Sequence, residues 1–316
     1  SFYNPGLIAG VPQSLPPNYF ASHFPGYAIA IAALAPFLGY LKSMLFVSLL
    51  FTVLSAWAFY FLVRDFRLTS QPLFLTLVFL ILPARWVITR SVGSSEPMFI
   101  FFVLMAMYFI LKEKLLIAAL FGVVTQLTRP PGILLGIAIG AYALWVGYEK
   151  RSIKKSLSFY PFMLIPLTLL SIFFLFGQQY NDFFAYFHSG DNIHLTLPPF
   201  QVFNKHQYWV GDIWLEDIIY IFILGFLGTV TLWKKKLYPM TFVVLTYLMA
   251  SALIVHRDIS RYILPITPFV IIAFEKVLTS KEFKIILPII ALAIYLYSQN
   301  YIIENVAPVA DLMPYN

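Results

Sequence analysis

SMLFVSLLFTVLSAWAFYFLV, residues 43–63, decides the class of fold. The stretch carries no charge, and about 20 such residues are what an α-helix needs to cross a ~30 Å hydrocarbon core. Similar runs recur at 157–176 and 285–303. Backbone amides in lipid must be paired internally, so these runs are helices or strands of a closed barrel. They lack the apolar–polar alternation of barrel strands, which leaves helices. Composition agrees: 60% of the 316 residues are hydrophobic and only 11% charged, against about a quarter charged in a soluble domain.

The net charge of +7 does not mark a nucleic-acid binder, because the basic residues sit in short clusters between apolar runs. That is the pattern of membrane loops. There is no cysteine, so disulfide and thiolate chemistry are excluded. Loops at 64–67, 112–114, 149–155, 234–236 and 276–284 hold fourteen of the twenty-one Lys and Arg. The positive-inside bias assigns them to the cytoplasmic side. An even number of crossings must then separate consecutive basic loops. Helices near 43–63, 71–90, 97–111, 115–129, 132–148, 157–177, 216–233, 238–255, 262–276 and 285–303 meet that condition. The expected fold is therefore all-α, a multi-pass transmembrane bundle of about ten spans forming one domain over 1–316. The run 27–40 is too short to count as a span and reads as an interfacial or re-entrant helix on the outer face.

The outer side then collects all five histidines and nine of the fourteen acids, which makes it the working surface. Five polar stretches stand out there. In RSVGSSE, residues 90–96, Ser94 and Ser95 precede a helix opened by Glu96 and Pro97. Glu96 serves that helix's positive end, or faces a cavity as a hydrogen-bonding or proton-transfer group. In TRPPG, residues 128–132, two prolines stop a helix and leave Arg129 near the surface. Its planar fork of donors suits a phosphate oxygen, and a snorkelling arginine is the plainer alternative. HRDISRY, residues 256–262, places Arg257 and Arg261 on the outer side against the charge bias, with His256 and Tyr262 beside them. Asp258 is the expected neutraliser of one, leaving the other for an anion. The loop 178–215 is too long for a connector. His188, Asp191 and His194 within it lack the sharp spacing of metal ligands, so no metal or other cofactor is assigned. Last, HFPGY, residues 23–27, offers His23 and Tyr27.

These segments in this order, with YFLVRDFRL at 60–68, resemble the GT-C superfamily of integral-membrane glycosyltransferases. RSVGSSEPMFIFF (90–102) and LFGVVTQLTRPPGILL (120–135) resemble segments of PIG-V-like mannosyltransferases. HRDISRYILPITPF (256–269) resembles a segment of lipid A aminoarabinose and protein mannosyl transferases. The resemblance implies transfer of mannose or another hexose from a polyprenyl-phosphate donor to a glycan, lipid or protein acceptor on the outer face. Arg90, Arg129, His256, Arg257, Arg261, Tyr262, His23 and Tyr27 would bind substrate, with Glu96 assisting catalysis. The family sets its catalytic aspartate in the first outer loop, after a first helix. Here no acid precedes Asp65 and the chain opens on Ser1, so that helix and that base are expected upstream. Two other readings remain: a transporter or flippase for lipid-linked glycans, and a non-catalytic subunit of a glycosylation complex. No N-x-S/T sequon occurs, which favours a prokaryotic cell membrane over the endoplasmic reticulum.

Overall fold

The computed structural model describes residues 17–189, 195–207, 214–256 and 258–305. Among them the chain is helical, with no strand beyond an isolated antiparallel bridge between Leu195 and Ile254. The helices are α1 (Pro25–Leu38), α2 (Tyr40–Asp65), α3 (Pro72–Ile81), α4 (Ala84–Ser91), α5 (Glu96–Leu111), α6 (Leu115–Thr128), α7 (Gly132–Glu149) and α8 (Ile153–Leu157). They continue with α9 (Leu164–Tyr180), α10 (Ala185–His188), α11 (Trp214–Lys234), α12 (Tyr238–Ala252), α13 (Ile259–Ile263), α14 (Thr267–Ala273), α15 (Glu275–Leu278) and α16 (Lys281–Asn305).

Five helical stretches are long and apolar enough to cross a membrane: Tyr40–Asp65, Gly132–Glu149, Tyr160–Tyr180, Asp217–Lys234 and Lys281–Ile303. A sixth qualifies if α3 and α4 are taken as one span. The remaining apolar helices are shorter, at 10–17 residues. The straight helix expected over 71–90 is instead bent by 75°. The cause is Pro83, which has no N–H and whose ring disfavours helical geometry in the residue before it. Leu82 is accordingly extended, at φ −106° and ψ 143°.

Helix α2 shows why lipid is the fitting solvent. Ser43, Ser48, Thr52 and Ser55 are buried on one face, while Leu49, Val53 and Trp57 are exposed on the other. Water would invert that arrangement; in a bilayer, small polar residues belong at helix–helix contacts. Two of the serines bond across the contact. Ser48 Oγ donates to Ser94 O and accepts from Ser94 N–H, both at 3.0 Å, and Ser55 Oγ donates to Pro97 O at 3.0 Å. These bonds fix the start of α5 against α2.

The short run before α2 does not lie apart from the bundle. Gly39, at φ 75°, turns the chain. Helix α1 folds back along α2, with Tyr27 Oη donating to Met44 O at 3.0 Å and 2.7 Å from Ser48 Oγ.

The five basic loops gather at one end. Tyr108 donates to Asp65 at 2.7 Å, Gln71 Nε2 donates to Thr279 O at 3.2 Å, and Lys235 lies 3.4 Å from Glu275. Trp145, near the end of α7, packs on Trp233 and Tyr238 at 5.6 and 4.2 Å. Four of the turns there close alike. The amides of Leu68, Lys114, Ser152 and Leu237 donate to the carbonyls of Val63, Phe109, Gly147 and Leu232. The residue before each donor (Arg67, Glu113, Arg151 and Lys236) is left-handed. Each is a Schellman closure, satisfying carbonyls that a helix end leaves unpaired.

Candidate functional site

The opposite end holds the ionisable cluster. Glu96 is the first residue of α5 and only 2% exposed. Pro97 follows it, a residue whose missing N–H costs nothing in a helix's first turn. One oxygen, Glu96 Oε1, receives both Nη1 of Arg129 and Nε of Arg261. The other, Oε2, is buried.

Each arginine arrives for a local reason. Pro130 and Pro131 end α6 at Thr128, and Arg129 is extended at φ −153° and ψ 147°. Its guanidinium sits 6.0 Å from the Phe99 ring centroid. Tyr247 donates to Pro131 O at 2.9 Å and so holds this turn against α12. Arg261 rides on α13, whose first turn is tied by Arg261 N–H donating to Asp258 O at 2.9 Å. Side-chain exposure is 15% for Arg129 and 36% for Arg261. Two cations on one anion leave the cluster at +1, with Arg261 as its open side.

The geometry gives three of the expected residues a structural place. Glu96 is buried and its Oε1 carries both guanidiniums, which gives it the structural role of orienting them. Asp258 is claimed by a cation from outside its own segment, while remaining within electrostatic range of Arg261. It pairs with Arg85 of α4, and Arg85 also lies over the Tyr301 ring at 4.7 Å. Tyr27 is spent holding α1 to α2.

Of the other residues singled out by sequence, His256 and Tyr262 meet edge to face at 5.5 Å, and His256 Nδ1 accepts from Asp258 N–H at 2.9 Å. They flank Arg261 along the chain. Arg90 is half-buried on the last turn of α4 and makes no ion pair among the described residues; the structure does not join it to the cluster. His23 is exposed and 2.8 Å from Ser22 Oγ, while its neighbour Gly26 packs tightly. A Cβ at Gly26 would lie 2.8 Å from the carbonyl of Leu127, two residues before Arg129. Arg257, Asp191 and His194 lie outside the described residues. His188 faces Asp182 at 2.6 Å, and that partner holds the exposed Asp182 carboxyl below the usual carboxylate range.

Sequence reasoning missed two contributors. Arg85 was legible as a charge inside an apolar stretch, and such a charge requires a partner. Tyr186, from the long loop, stacks on Phe173 and meets Phe24 edge to face at 5.6 Å. Burial pushes its phenol up to about 12, with Tyr262 and Arg129 also within electrostatic range. Tyr186 thus ties part of the loop to α9 and to the residue that precedes α1.

Fold and site together define an all-helical chain with the makings of a multi-pass membrane protein, whose polar chemistry is concentrated at one end of the bundle. No family model matches it, and neither does any curated protein.

Proposed function

We propose that the chain is a GT-C-like glycosyltransferase that uses a lipid-linked sugar phosphate. One observation carries this reading: two arginines from separate segments share a single buried carboxylate oxygen and retain a net positive charge with an open side. Guanidinium forks match phosphate oxygens. Held in place beforehand, they stabilise the charge that grows on a phosphate leaving group as the sugar departs.

In this reading the shorter helices cross the membrane with the long ones, for about ten crossings, and the basic end faces the cytoplasm. The donor is a polyprenyl-phosphate hexose whose tail lies between helices. The acceptor, a glycan, lipid or protein, approaches from the outer face, and the membrane is that of a prokaryotic cell. Arg261 grips the phosphate, Arg129 supports it, and Glu96 fixes both. Displacement at the sugar's anomeric carbon inverts configuration, and a carboxylate other than Glu96 takes the acceptor's proton.

The test is transfer of radiolabelled mannose from polyprenyl-phosphate-mannose by the reconstituted protein. Arg261→Ala is expected to abolish transfer, and unchanged turnover in Arg261→Ala and Arg129→Ala would remove the phosphate assignment.

A second reading has its own support. The 75° break between α3 and α4 and the largely buried Arg85–Asp258 pair are features of proteins that move a substrate across the bilayer. Movement of a lipid-linked glycan between leaflets, without any sugar transfer, would decide for a flippase.

A further inference from the structure

We propose that residues 148–160, centred on α8, form a binding surface for anionic phospholipid headgroups. The inference is independent of the sugar-transfer reading.

It rests on a contrast among the basic loops. At the other four, a side-chain cation is spent on protein. Arg64 lies over Phe61 and pairs with Asp65, Lys112 sits over Phe66, Lys235 pairs with Glu275, and Lys284 lies over Phe74. Lys150, Arg151, Lys154 and Lys155 are all exposed, and none has a side-chain ion pair or ring contact among the described residues. Glu149 is the lone acid of the segment 149–155, which carries +3.

The mounting is rigid. Ser152 N–H donates to Gly147 O at 3.0 Å, and a Cβ at Gly147 would lie 2.9 Å from Ser156 Cβ. Helix α8 is thus clamped to the end of α7, between two stretches that qualify as membrane spans. That position is the bilayer surface.

Apolar side chains name the partner. Ile153 is 77% exposed and Leu157 64%, with Tyr148 and Tyr160 also open. An acidic soluble protein or a free phosphate would leave them in water. A headgroup layer accepts both kinds of side chain, because aliphatic and aromatic groups enter the acyl boundary while Lys and Arg meet phosphates.

Tryptophan quenching by brominated lipid tests this, since Trp145 lies one turn from Tyr148 and packs on Trp233. The whole protein goes into phosphatidylcholine nanodiscs containing brominated phosphatidylglycerol, with brominated phosphatidylcholine as reference. Phosphatidylglycerol is expected to quench beyond its mole fraction. K150Q/R151Q/K154Q/K155Q should lower that preference roughly tenfold, since each basic group near an anionic surface contributes favourably. If the variant does not insert, the wild type still decides: its preference should collapse between low and high sodium chloride. Equal quenching by the two lipids, or a preference untouched by salt, overturns the proposal. So does displacement by inorganic phosphate beyond that by chloride of equal ionic strength, which would assign the surface to a free anion.

Discussion

Replacing Glu96 with Gln keeps the shape of the cluster's centre and removes its negative charge. Arg129 and Arg261 then face each other with nothing between them. Removing one partner of a buried ion pair costs about 3–5 kcal/mol. Arg261 is 36% exposed, so solvent screens part of the repulsion, and the low end, about 3 kcal/mol, applies. That corresponds to a fall in Tm of roughly 6 °C or more, readable from tryptophan fluorescence in detergent. The sign can be checked internally. Arg129→Gln in the Glu96→Gln background removes one of the two stranded cations, so the double variant should lose less than the sum of the single losses, by about 1–3 kcal/mol. Inorganic phosphate should raise the Tm of Glu96→Gln more than that of the wild type, because the variant carries the larger uncompensated charge. A Tm within about 1 °C of wild type, or strictly additive losses in neighbours this close, would refute the cluster as an electrostatic unit.

Three further outcomes are expected. Arg85→Ala should speed hydrogen exchange across residues 258–263, because Asp258 loses the partner that anchors the start of α13; unchanged exchange there would dissociate Arg85 from the placement of Arg261. Gly26→Ala should lower stability by about 1–3 kcal/mol, since the new methyl meets the backbone at Leu127, and an unaltered Tm would show that the segment gives way. Protection of residues 182–189 from proteolysis should be full above about pH 4 and should fade as the pH drops further. Asp182 has a depressed pKa in the folded state, so its contribution is lost on acidification; Asp182→Asn should remove this acid dependence.

The class of fold was legible because lipid leaves few options: uncharged runs such as 43–63 must be helices, and the structure has them. The separation of a basic end from an acid–arginine end could be read from loop charges alone. So could the residues of the cluster, since Glu96, Arg129 and Arg261 are each charges next to helix punctuation. Their pairing could not. Asp258 lies three residues from Arg261 in sequence, and nothing local says that Arg85, 173 positions away, claims it. The 75° bend was overlooked because Pro83 sits amid residues that otherwise read as one apolar run. Span lengths were blurred for a similar reason. The stretch expected over 157–177 begins with a 3₁₀ turn, Tyr160–Met163, before α9 starts, and hydropathy cannot distinguish such a turn from α-helix.

The shared carboxylate oxygen also bears on biogenesis. Glu96 and Arg129 leave the ribosome early and can pair while the rest of the nascent chain is still being made, but Arg261 arrives only after α11 and α12 have been synthesised. The cluster is thus completed only once α13 has been made, and its closure registers that α11 and α12 have found their place. A chain stalled before α13 would hold a neutral Glu96–Arg129 couple with a gap beside it, a state that a quality-control protease could distinguish from the finished protein.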